Sequence, residues 1–382
     1  MIPFDFESRT RIVFGPRSLE RLGELARELG ARRALVVSDP GVVAAGHTER
    51  GMRTLAAAGL AVQLFDAVRE NPSTDDVQRG VEAASAWQPD LLVGLGGGSA
   101  LDCTKGVNFI HSNGGRMQDY WGVGKATRPM LPMIAVPTTA GTGSETQSFA
   151  LISDAQTKDK MACGDKKAAC RVALLDPELT VTQPARVTAL TGIDAIAHAI
   201  ETFVSKRRNS ISLMFSREAW RLLSAGFSRV IDQPSDLTAR AAMQWGASLA
   251  GLAIENSMLG AAHALANPLT ARFGLAHGEA VGLMLPHVIR FNGELFQDWY
   301  RELAEVGPAA SRASGVDAAG GLAEFVELLL RRAGLAARLS CRGVTEESLP
   351  ALAADAARQW TGTFNPRDVA PDEWVRLYQQ AF

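Results

Sequence analysis

The 382-residue sequence has few cysteines, few aromatic residues and little net charge. Its four cysteines form no Cys-x-x-Cys pair and show no spacing typical of a disulfide framework. This pattern favours reduced thiols in a cytoplasmic protein. A net charge of −2, with Lys and Arg spread along the chain, argues against a nucleic-acid or membrane surface.

Long apolar runs are also missing. No stretch reaches the roughly 18 uncharged apolar residues that a transmembrane helix needs. The first residues, MIPFDFESRT, contain neither the basic region nor the apolar run of a signal peptide. We therefore expect a protein without a membrane span. Hydrophobic residues make up 47% and charged residues 21%, which is ordinary for a globular protein long enough for two domains.

The first half of the chain alternates short apolar runs with helical patterns. Residues 33–39, 61–68, 90–96 and 130–137 read as buried strands, and 73–87 reads as a helix capped by Ser73. Such alternation predicts a parallel sheet covered by helices, which is a Rossmann-like α/β domain. Around residues 149–176 the pattern changes to short strands and loops.

The second half is predicted to be mostly helical. After residue 176 strand patterns nearly vanish, and Ala, Leu, Glu and Arg dominate residues 211–230, 238–256 and 320–335. We place the boundary near residue 180. The sequence thus predicts an α/β domain over residues 1–180 and an all-α domain over residues 181–382.

A glycine-rich loop follows the apolar run at 90–96. Gly97, Gly98 and Ser99 lie between this predicted strand and a predicted helix. Glycines let backbone N–H groups approach a ligand, and a helix N-terminus attracts phosphate. Taken alone, such a loop is more often a plain strand–helix connection. A second polar loop, PTTAGTGSET at 137–146, follows the next predicted strand and supplies hydroxyl groups.

Asp39 lies at the end of the first predicted strand. An acid at this place can accept hydrogen bonds from ribose hydroxyls, which favours NAD over NADP. The order differs from the common dinucleotide fingerprint, in which the glycine loop precedes the acid. Asp39-Pro40-Gly41 is also good turn chemistry, so Asp39 as a turn residue is the alternative.

Three of the six histidines, His198, His263 and His277, fall in one stretch of the helical half. Asp194 and His198 are at i and i+4 and share a helix face. A continuous helix would separate His263 from His277 by about 21 Å, but Pro268 and Gly274 interrupt it and allow a bend. One carboxylate and three imidazoles suit Fe(II) or Zn(II). Taken singly, each histidine is more often a structural residue, and Asp194 could simply pair with His198.

With these residues in view, the chain resembles the iron-containing (group III) alcohol dehydrogenase family over nearly its whole length. The matching stretches are 11–22, where the family usually has glycine at Arg17, then 94–105, 137–145, 173–201 and 263–278. The family has a dehydroquinate-synthase-like architecture, with metal and nicotinamide in the cleft between two domains. Its members are commonly dimers or larger assemblies.

The resemblance assigns roles to individual residues. It implies Asp194, His198, His263 and His277 as metal ligands, with His277 also in the catalytic site. The positions that match the family's dinucleotide site are Asp39, Asn71, Gly97, Gly98, Ser99, Thr138, Thr139, Phe149, Lys160 and Leu179.

Asn267 departs from the family pattern. The family often has a histidine four residues after the third ligand, and here that position is Asn267. Asparagine cannot titrate, but it can hydrogen-bond and so orient substrate or water. We interpret it as a catalytic-site residue. The sequence does not identify which group relays the proton.

We therefore predict an NAD-dependent, metal-dependent alcohol dehydrogenase or aldehyde reductase that acts on a small alcohol or aldehyde. The expected metal is Fe(II), with Zn(II) as the other candidate. One alternative is another enzyme of the same superfamily: an NAD-using metal lyase like dehydroquinate synthase, or a reductase like glycerol dehydrogenase or maleylacetate reductase. The other is a non-enzymatic nucleotide-binding protein, which would need no metal.

Overall fold

A computed structural model describes residues 3–308 and 317–382, which form two compact units. The first unit is Glu7–Gln183. The second comprises Pro184–Phe382 as far as it is described, together with residues 3–6. The division falls a few residues beyond the predicted boundary near 180, and the first described residues belong with the second unit.

The first unit alternates strands and helices, as the apolar runs predict. Its strands are β1 (Arg11–Phe14), β2 (Arg33–Val37), β3 (Ala61–Phe65), β4 (Leu91–Gly96), β5 (Gly122–Val123), β6 (Met133–Pro137), β7 (Phe149–Ser153), β8 (Lys160–Gly164) and β9 (Val172–Leu175). Its helices are α1 (Leu22–Glu28), α2 (Pro40–Ala44), α3 (His47–Ala57), α4 (Thr74–Trp87) and α5 (Gly98–Asn113).

A parallel six-stranded sheet organises this unit, in the order β1-β9-β6-β4-β2-β3. Side chains alternate between its two faces. Leu35 and Val37 join one buried cluster, whereas Ala34 and Val36 join the other. Burial on both faces explains why the strands read as continuous apolar runs. Because all strands run in one direction, the loops after β2, β4 and β6 leave from the same edge of the sheet.

A smaller sheet of order β5-β8-β7 accounts for the short-strand pattern around 149–176. The strand β8 pairs antiparallel with β7 and parallel with β5. At the start of α4, Ser73 forms a capping box with Asp76, which confirms the predicted cap.

The described residues of the second unit form helices and connecting loops, with no strand among them. The unit contains α6 (Ala185–Val204), α7 (Ser210–Asp232), α8 (Leu237–Asn256), α9 (Ala261–Phe273), α10 (His277–Val306), α11 (Ala318–Arg332), α12 (Leu349–Ala356) and α13 (Pro371–Ala381). The α/β-plus-all-α fold class is therefore confirmed.

Helix α6 is long and apolar enough to cross a membrane by length and composition alone. Its most apolar window is 83% buried within the protein. A buried core helix of a globular unit meets the same criteria, so this helix is weak evidence for a membrane span.

The chain bends between α9 and α10, and the bend lies at Gly274. This residue has φ +65° and ends α9 in a left-handed conformation, which glycine adopts at no steric cost. Pro268, the other predicted breaker, lies inside α9 without ending it. The turn allows His263 on α9 and His277 on α10 to face each other despite their separation in sequence.

Candidate metal and dinucleotide sites

Helix α6 carries the first two predicted metal ligands. Asp194 and His198 are four residues apart on one buried face, with side chains that are 7% and 6% exposed. Their spacing alone permits an internal pair, because the Asp194 Oδ1 and His198 Nε2 atoms lie 3.4 Å apart. Whether these two residues form more than a pair depends on the side chains that the neighbouring helices bring to them.

All four predicted ligands converge on one point. Oδ1 of Asp194 lies 3.4 Å from Nε2 of His198, 3.3 Å from Nε2 of His263 and 3.8 Å from Nε2 of His277. The ring of His263 stacks on that of His198 at 4.9 Å and lies 5.4 Å from that of His277. Ligand atoms bound tetrahedrally at about 2.1 Å from one ion stand roughly 3.4 Å apart. The observed separations fit that arrangement.

Two of the polar atoms at this point have unmet hydrogen-bonding capacity within the described residues. Asp194 Oδ1 and His263 Nε2 are buried and make no well-aligned hydrogen bond within the described residues. Burying such atoms without a partner costs free energy, which a bound cation would recover. The donor atoms of Asp194, His263 and His277 all lie within 4.8 Å of one another, and His198 faces the same carboxylate oxygen.

The electrostatics of the cluster also favour a cation. Burial alone would raise the pKa of Asp194, but the three histidines outweigh burial and hold this pKa well below its usual range. Burial lowers the pKa of His263, but the carboxylates of Glu201 and Asp194 outweigh it and raise the pKa to about 9. The buried carboxylates therefore require compensating positive charge, which a proton or a divalent ion supplies.

Glu201 is a site residue that the sequence reasoning missed. It lies on α6, and its Oε2 atom is 2.5 Å from Nδ1 of His263. Its Oε1 atom accepts a hydrogen bond of 2.7 Å from the backbone N–H of Ala262. The available signal was its spacing of i+7 from Asp194, which puts both residues on the same helix face.

The glycine loop of the first unit leaves the start of α5 open. Gly97 is the N-cap of α5 and offers no side-chain cap to the first backbone N–H groups. A Cβ atom on Gly98 would lie 2.5 Å from Cγ2 of Thr142, and one on Gly97 would lie 3.2 Å from Cγ2 of Thr139. The missing side chains thus keep the two polar loops close together, with free N–H groups available to a phosphate.

Asp39 lies at the same edge of the sheet, directly beyond β2. Its Oδ1 atom accepts hydrogen bonds from Gly41 and Val42 and so caps α2, as the turn interpretation predicts. Its Oδ2 atom lies beside Gly96, since a Cβ atom there would be 3.1 Å away. One carboxylate oxygen thus caps the helix while the other faces the glycine loop.

Other predicted dinucleotide residues gather near this loop. The backbone N–H of Asn71 donates to Oγ of Ser99 at 3.2 Å, and Asn71 has φ +52°. Thr138 and Thr139 follow β6, and the backbone N–H of Thr138 bonds the carbonyl of Gly96 at 2.9 Å. Together with Asp39, Gly97 and Gly98, seven of the ten predicted positions therefore belong to adjoining loops at one edge of the sheet.

The remaining three predicted positions lie outside these loops. The ring of Phe149 lies against the backbone of Gly164 in the smaller sheet, where a Cβ atom would come within 2.4 Å of the ring. Lys160 begins β8 and is exposed. Leu179 is fully buried in the core of the unit, so its side chain offers no surface to a ligand.

A buried lysine supports the second polar loop. Nζ of Lys105 on α5 donates to the carbonyl and Oγ of Ser144, at 2.6 and 2.8 Å, and to the carbonyl of Phe149 at 2.8 Å. The hydroxyl of Ser144 donates in turn to Asp102 at 2.5 Å. The signal for this network was two charged residues in an otherwise apolar helix pattern, and the sequence reasoning gave them no role.

Asn267 lies one helical turn after His263 on α9 and is half-buried. Its Nδ2 atom donates to Oε1 of Gln359 at 3.0 Å. The side chain is therefore anchored by a residue that follows α12, which the sequence did not indicate.

Both units of the chain match models of known protein families. A family model described as "Iron-containing alcohol dehydrogenase" matches residues 9–177, and one described as "Fe-containing alcohol dehydrogenase family, C-terminal" matches residues 188–382. The chain is similar to the NAD-dependent methanol dehydrogenase of Bacillus methanolicus, with 33% identity over 370 residues that cover 97% of each chain.

Solved structures agree with this result. A crystal structure of 1,3-propanediol oxidoreductase has a TM-score of 0.96 and 32% identity, and it covers 100% of both chains. The sulfoacetaldehyde reductase of Bifidobacterium kashiwanohense, solved in complex with NAD+, has a TM-score of 0.90 and 27% identity, covering 100% of this chain and 99% of its own. The protein described here belongs to the iron-containing alcohol dehydrogenase family.

Proposed function

We propose that this protein is a metal-dependent oxidoreductase that transfers a hydride between NAD(H) and a small alcohol or aldehyde. The observation that carries the proposal is the convergence of three imidazole nitrogens on one oxygen of Asp194, at 3.3 to 3.8 Å. Family membership and the dehydrogenase activity in the relatives' names support the same reaction class.

The proposed ion is Fe(II), bound by Asp194, His198, His263 and His277, with Zn(II) as the alternative. One carboxylate and three imidazoles suit either metal. When bound, the ion polarises the substrate oxygen as a Lewis acid, and the nicotinamide supplies or accepts the hydride. The role of the chain is to hold these groups and to keep one side of the cluster open.

His277 is the proposed ligand on the substrate side. Its side chain is 24% exposed, whereas those of Asp194, His198 and His263 are only 4 to 7% exposed. We also propose that Asn267, held by Gln359, orients the substrate or a water molecule. Because an amide does not titrate, Asn267 can direct a proton donor but cannot act as one.

For the dinucleotide, we propose that the first unit binds the pyrophosphate at the Gly97–Gly98 loop and the ribose through Asp39. The open start of α5 and the missing Cβ atoms of the two glycines support the first assignment. The carboxylate oxygen beside Gly96 supports the second. The further members of the proposed site are Asn71, Ser99, Thr138, Thr139, Phe149, Lys160 and, through its backbone only, Leu179.

The test combines metal analysis with a substrate panel. Purified protein is stripped with a chelator, reloaded separately with Fe(II) and Zn(II), and assayed with alcohols and aldehydes using NAD(H) and NADP(H). We expect activity to be lost on stripping and restored by at least one metal, with NAD(H) preferred. His263→Ala should bind metal poorly and lose NAD-linked turnover, whereas His111→Gln, outside the cluster, should retain both.

The same panel separates the alternatives. A metal-free protein that binds NAD without turnover would favour the non-enzymatic nucleotide-binding protein. Turnover of a carboxylated substrate without net NADH formation would favour the lyase. The family's alcohol dehydrogenase and reductase members support the oxidoreductase over both.

We further propose that the protein is a cytoplasmic homodimer or larger homo-oligomer. Its four free cysteines suit a reducing compartment. Exposed apolar side chains such as Phe14, Trp121 and Leu295 are surfaces that a second copy could cover. Light scattering during size-exclusion chromatography tests the oligomeric state, and a monomer at micromolar concentration would contradict it.

A further inference from the structure

We propose that Glu201 is a positioning residue that holds His263 in its metal-binding tautomer and joins α9 to α6. The inference rests on the proposed metal site and deepens it. Glu201 is 3% exposed and both of its carboxylate oxygens have a partner at hydrogen-bond distance, so the side chain has one defined orientation.

The tautomer follows from the chemistry of the two groups. Nδ1 of His263 lies 2.5 Å from Oε2 of Glu201, so a proton on Nδ1 is placed to bond the carboxylate. In the neutral ring, which is the form that binds a metal, the lone pair then lies on Nε2, the atom that faces Asp194 at 3.3 Å. A hydrogen bond to the far ring nitrogen is the usual way in which a protein orients an imidazole ligand.

The same carboxylate fixes the start of α9. Its other oxygen, Oε1, accepts the backbone N–H of Ala262, in the first turn of α9, at 2.7 Å. Asn365 Oδ1 accepts the preceding N–H, that of Ala261, at 3.3 Å. These contacts satisfy N–H groups that have no partner inside the helix, and a negative charge suits this end of the helix dipole.

Gly260 provides the space for this arrangement. A Cβ atom there would lie 3.0 Å from Oε1 of Glu201 and 3.2 Å from Oδ1 of Asn365. The absence of a Cβ atom at Gly260 is an observation independent of the hydrogen bonds, and it leaves the space that the Glu201 carboxylate occupies. Glu201 and two of the proposed ligands lie on α6. One side chain of α6 therefore fixes both the orientation of the His263 ring and the position of the first turn of α9 relative to α6.

Glu201→Gln tests the proposal because it conserves shape. Glutamine can accept one of the two hydrogen bonds, but its NH2 group then points at the other donor. We expect Zn(II) affinity, measured by competition with a chromophoric chelator, to fall by about 10- to 100-fold. We also expect the visible absorption spectrum of the Co(II)-loaded protein to change, because the ligand geometry relaxes.

Glu373→Gln is the matched control. Glu373 also accepts a backbone N–H at a helix start, that of Ala370 at 2.8 Å, and a cationic side chain, that of Arg367 at 2.7 Å. It does not contact the proposed ligands, so its variant should keep the wild-type metal affinity and Co(II) spectrum. Gly260→Ala provides a second, milder displacement of Glu201 and should weaken metal binding in the same direction.

The outcomes separate the two proposals. Wild-type metal affinity and an unchanged Co(II) spectrum in Glu201→Gln would overturn the inference and leave the metal-dependent function standing. If Glu201→Gln does not fold, unchanged affinity in Gly260→Ala overturns it. A wild-type protein that binds neither Zn(II) nor Co(II) would instead overturn the proposed function.

Discussion

At the scale of single residues, Asp39 combines a structural and a proposed functional role. It caps α2 through one oxygen and offers the other to the glycine loop. Asp39→Ser keeps a side chain able to cap the helix but removes the charge that would repel a 2′-phosphate. We expect the preference for NAD(H) over NADP(H), as the ratio of kcat/KM values, to fall at least about tenfold.

Asp39→Ala provides the comparison for that prediction. It removes the cap as well as the charge, and should therefore also lower the melting temperature, whereas Asp39→Ser should not. If both variants keep the wild-type cofactor preference, Asp39 is only the turn residue that its Asp-Pro-Gly context suggests.

Arg17 is a residue at which this chain carries a strained backbone conformation. It has φ +62° at a position where the family usually has glycine, and its side chain pairs with Glu20 on the surface. A left-handed conformation is unfavourable for a residue with a Cβ atom. We expect Arg17→Gly to raise the melting temperature by about 2 °C in a calorimetric scan.

Glu20→Ala is the control for Arg17. It removes the same surface ion pair without changing the backbone, and such pairs contribute little. Its melting temperature should stay close to that of the wild type. A lower melting temperature in Arg17→Gly than in Glu20→Ala would show that relief of the strained conformation does not outweigh the added freedom of the unfolded chain.

At the scale of secondary-structure elements, the start of α4 depends on one buried carboxylate. Burial would raise the pKa of Asp76, but hydrogen bonds from Arg69, Ser73 and Arg79 outweigh it and lower the pKa to about 2. A carboxylate with a lowered pKa stabilises the fold at pH values above its unfolded pKa near 3.8, and this contribution is lost as pH falls through about 2.

Replacing Asp76 should remove that contribution. We expect Asp76→Asn to lower the free energy of unfolding by on the order of 1–2 kcal/mol at pH 7, measured by urea denaturation. The difference from wild type should shrink as pH falls from 4 towards 2. Asp75→Asn, an exposed neighbour in the same helical turn, should have little effect. A pH-independent difference would assign the loss to packing rather than to the charge.

The sequence predicted the elements of the first unit better than the contacts around the proposed metal ligands. Continuous apolar runs and the Ser73 cap indicated the strands and α4 directly, because these patterns arise from local burial and local hydrogen bonds. The break between α9 and α10 was attributed equally to Pro268 and Gly274, yet only Gly274 ends the helix. A proline inside a helix is tolerated when neighbouring packing compensates the lost hydrogen bond, and local sequence does not report that packing.

At the scale of the whole molecule, the proposed metal site and the proposed dinucleotide site lie in different units. The proposed metal ligands lie on α6, α9 and α10, and the proposed dinucleotide residues lie in Glu7–Gln183. A ligand stabilises the structure that binds it, by an amount that grows with the logarithm of its concentration relative to Kd. We expect chelation to raise amide hydrogen exchange in these three helices and to leave the parallel sheet unchanged.

Adding NAD to the stripped protein provides the complementary measurement. It should protect the starts of α2 and α5 and the loop after β6, where the proposed site lies. Uniform changes over all peptides after chelation would contradict a metal site confined to the second unit, and so would changes restricted to the first unit.

Local patterns in the chain were enough to predict the fold class and the family, and to nominate the residues proposed here for metal and phosphate binding. Those properties depend on periodicity, on side-chain type and on short motifs, all of which are written within a few turns or one strand. The convergence of three histidines on Asp194 Oδ1, and the contact of Glu201 with His263, depend on how α6, α9 and α10 pack. Distances across such packing are set by the whole core, so only the tertiary structure could assign Glu201 its place.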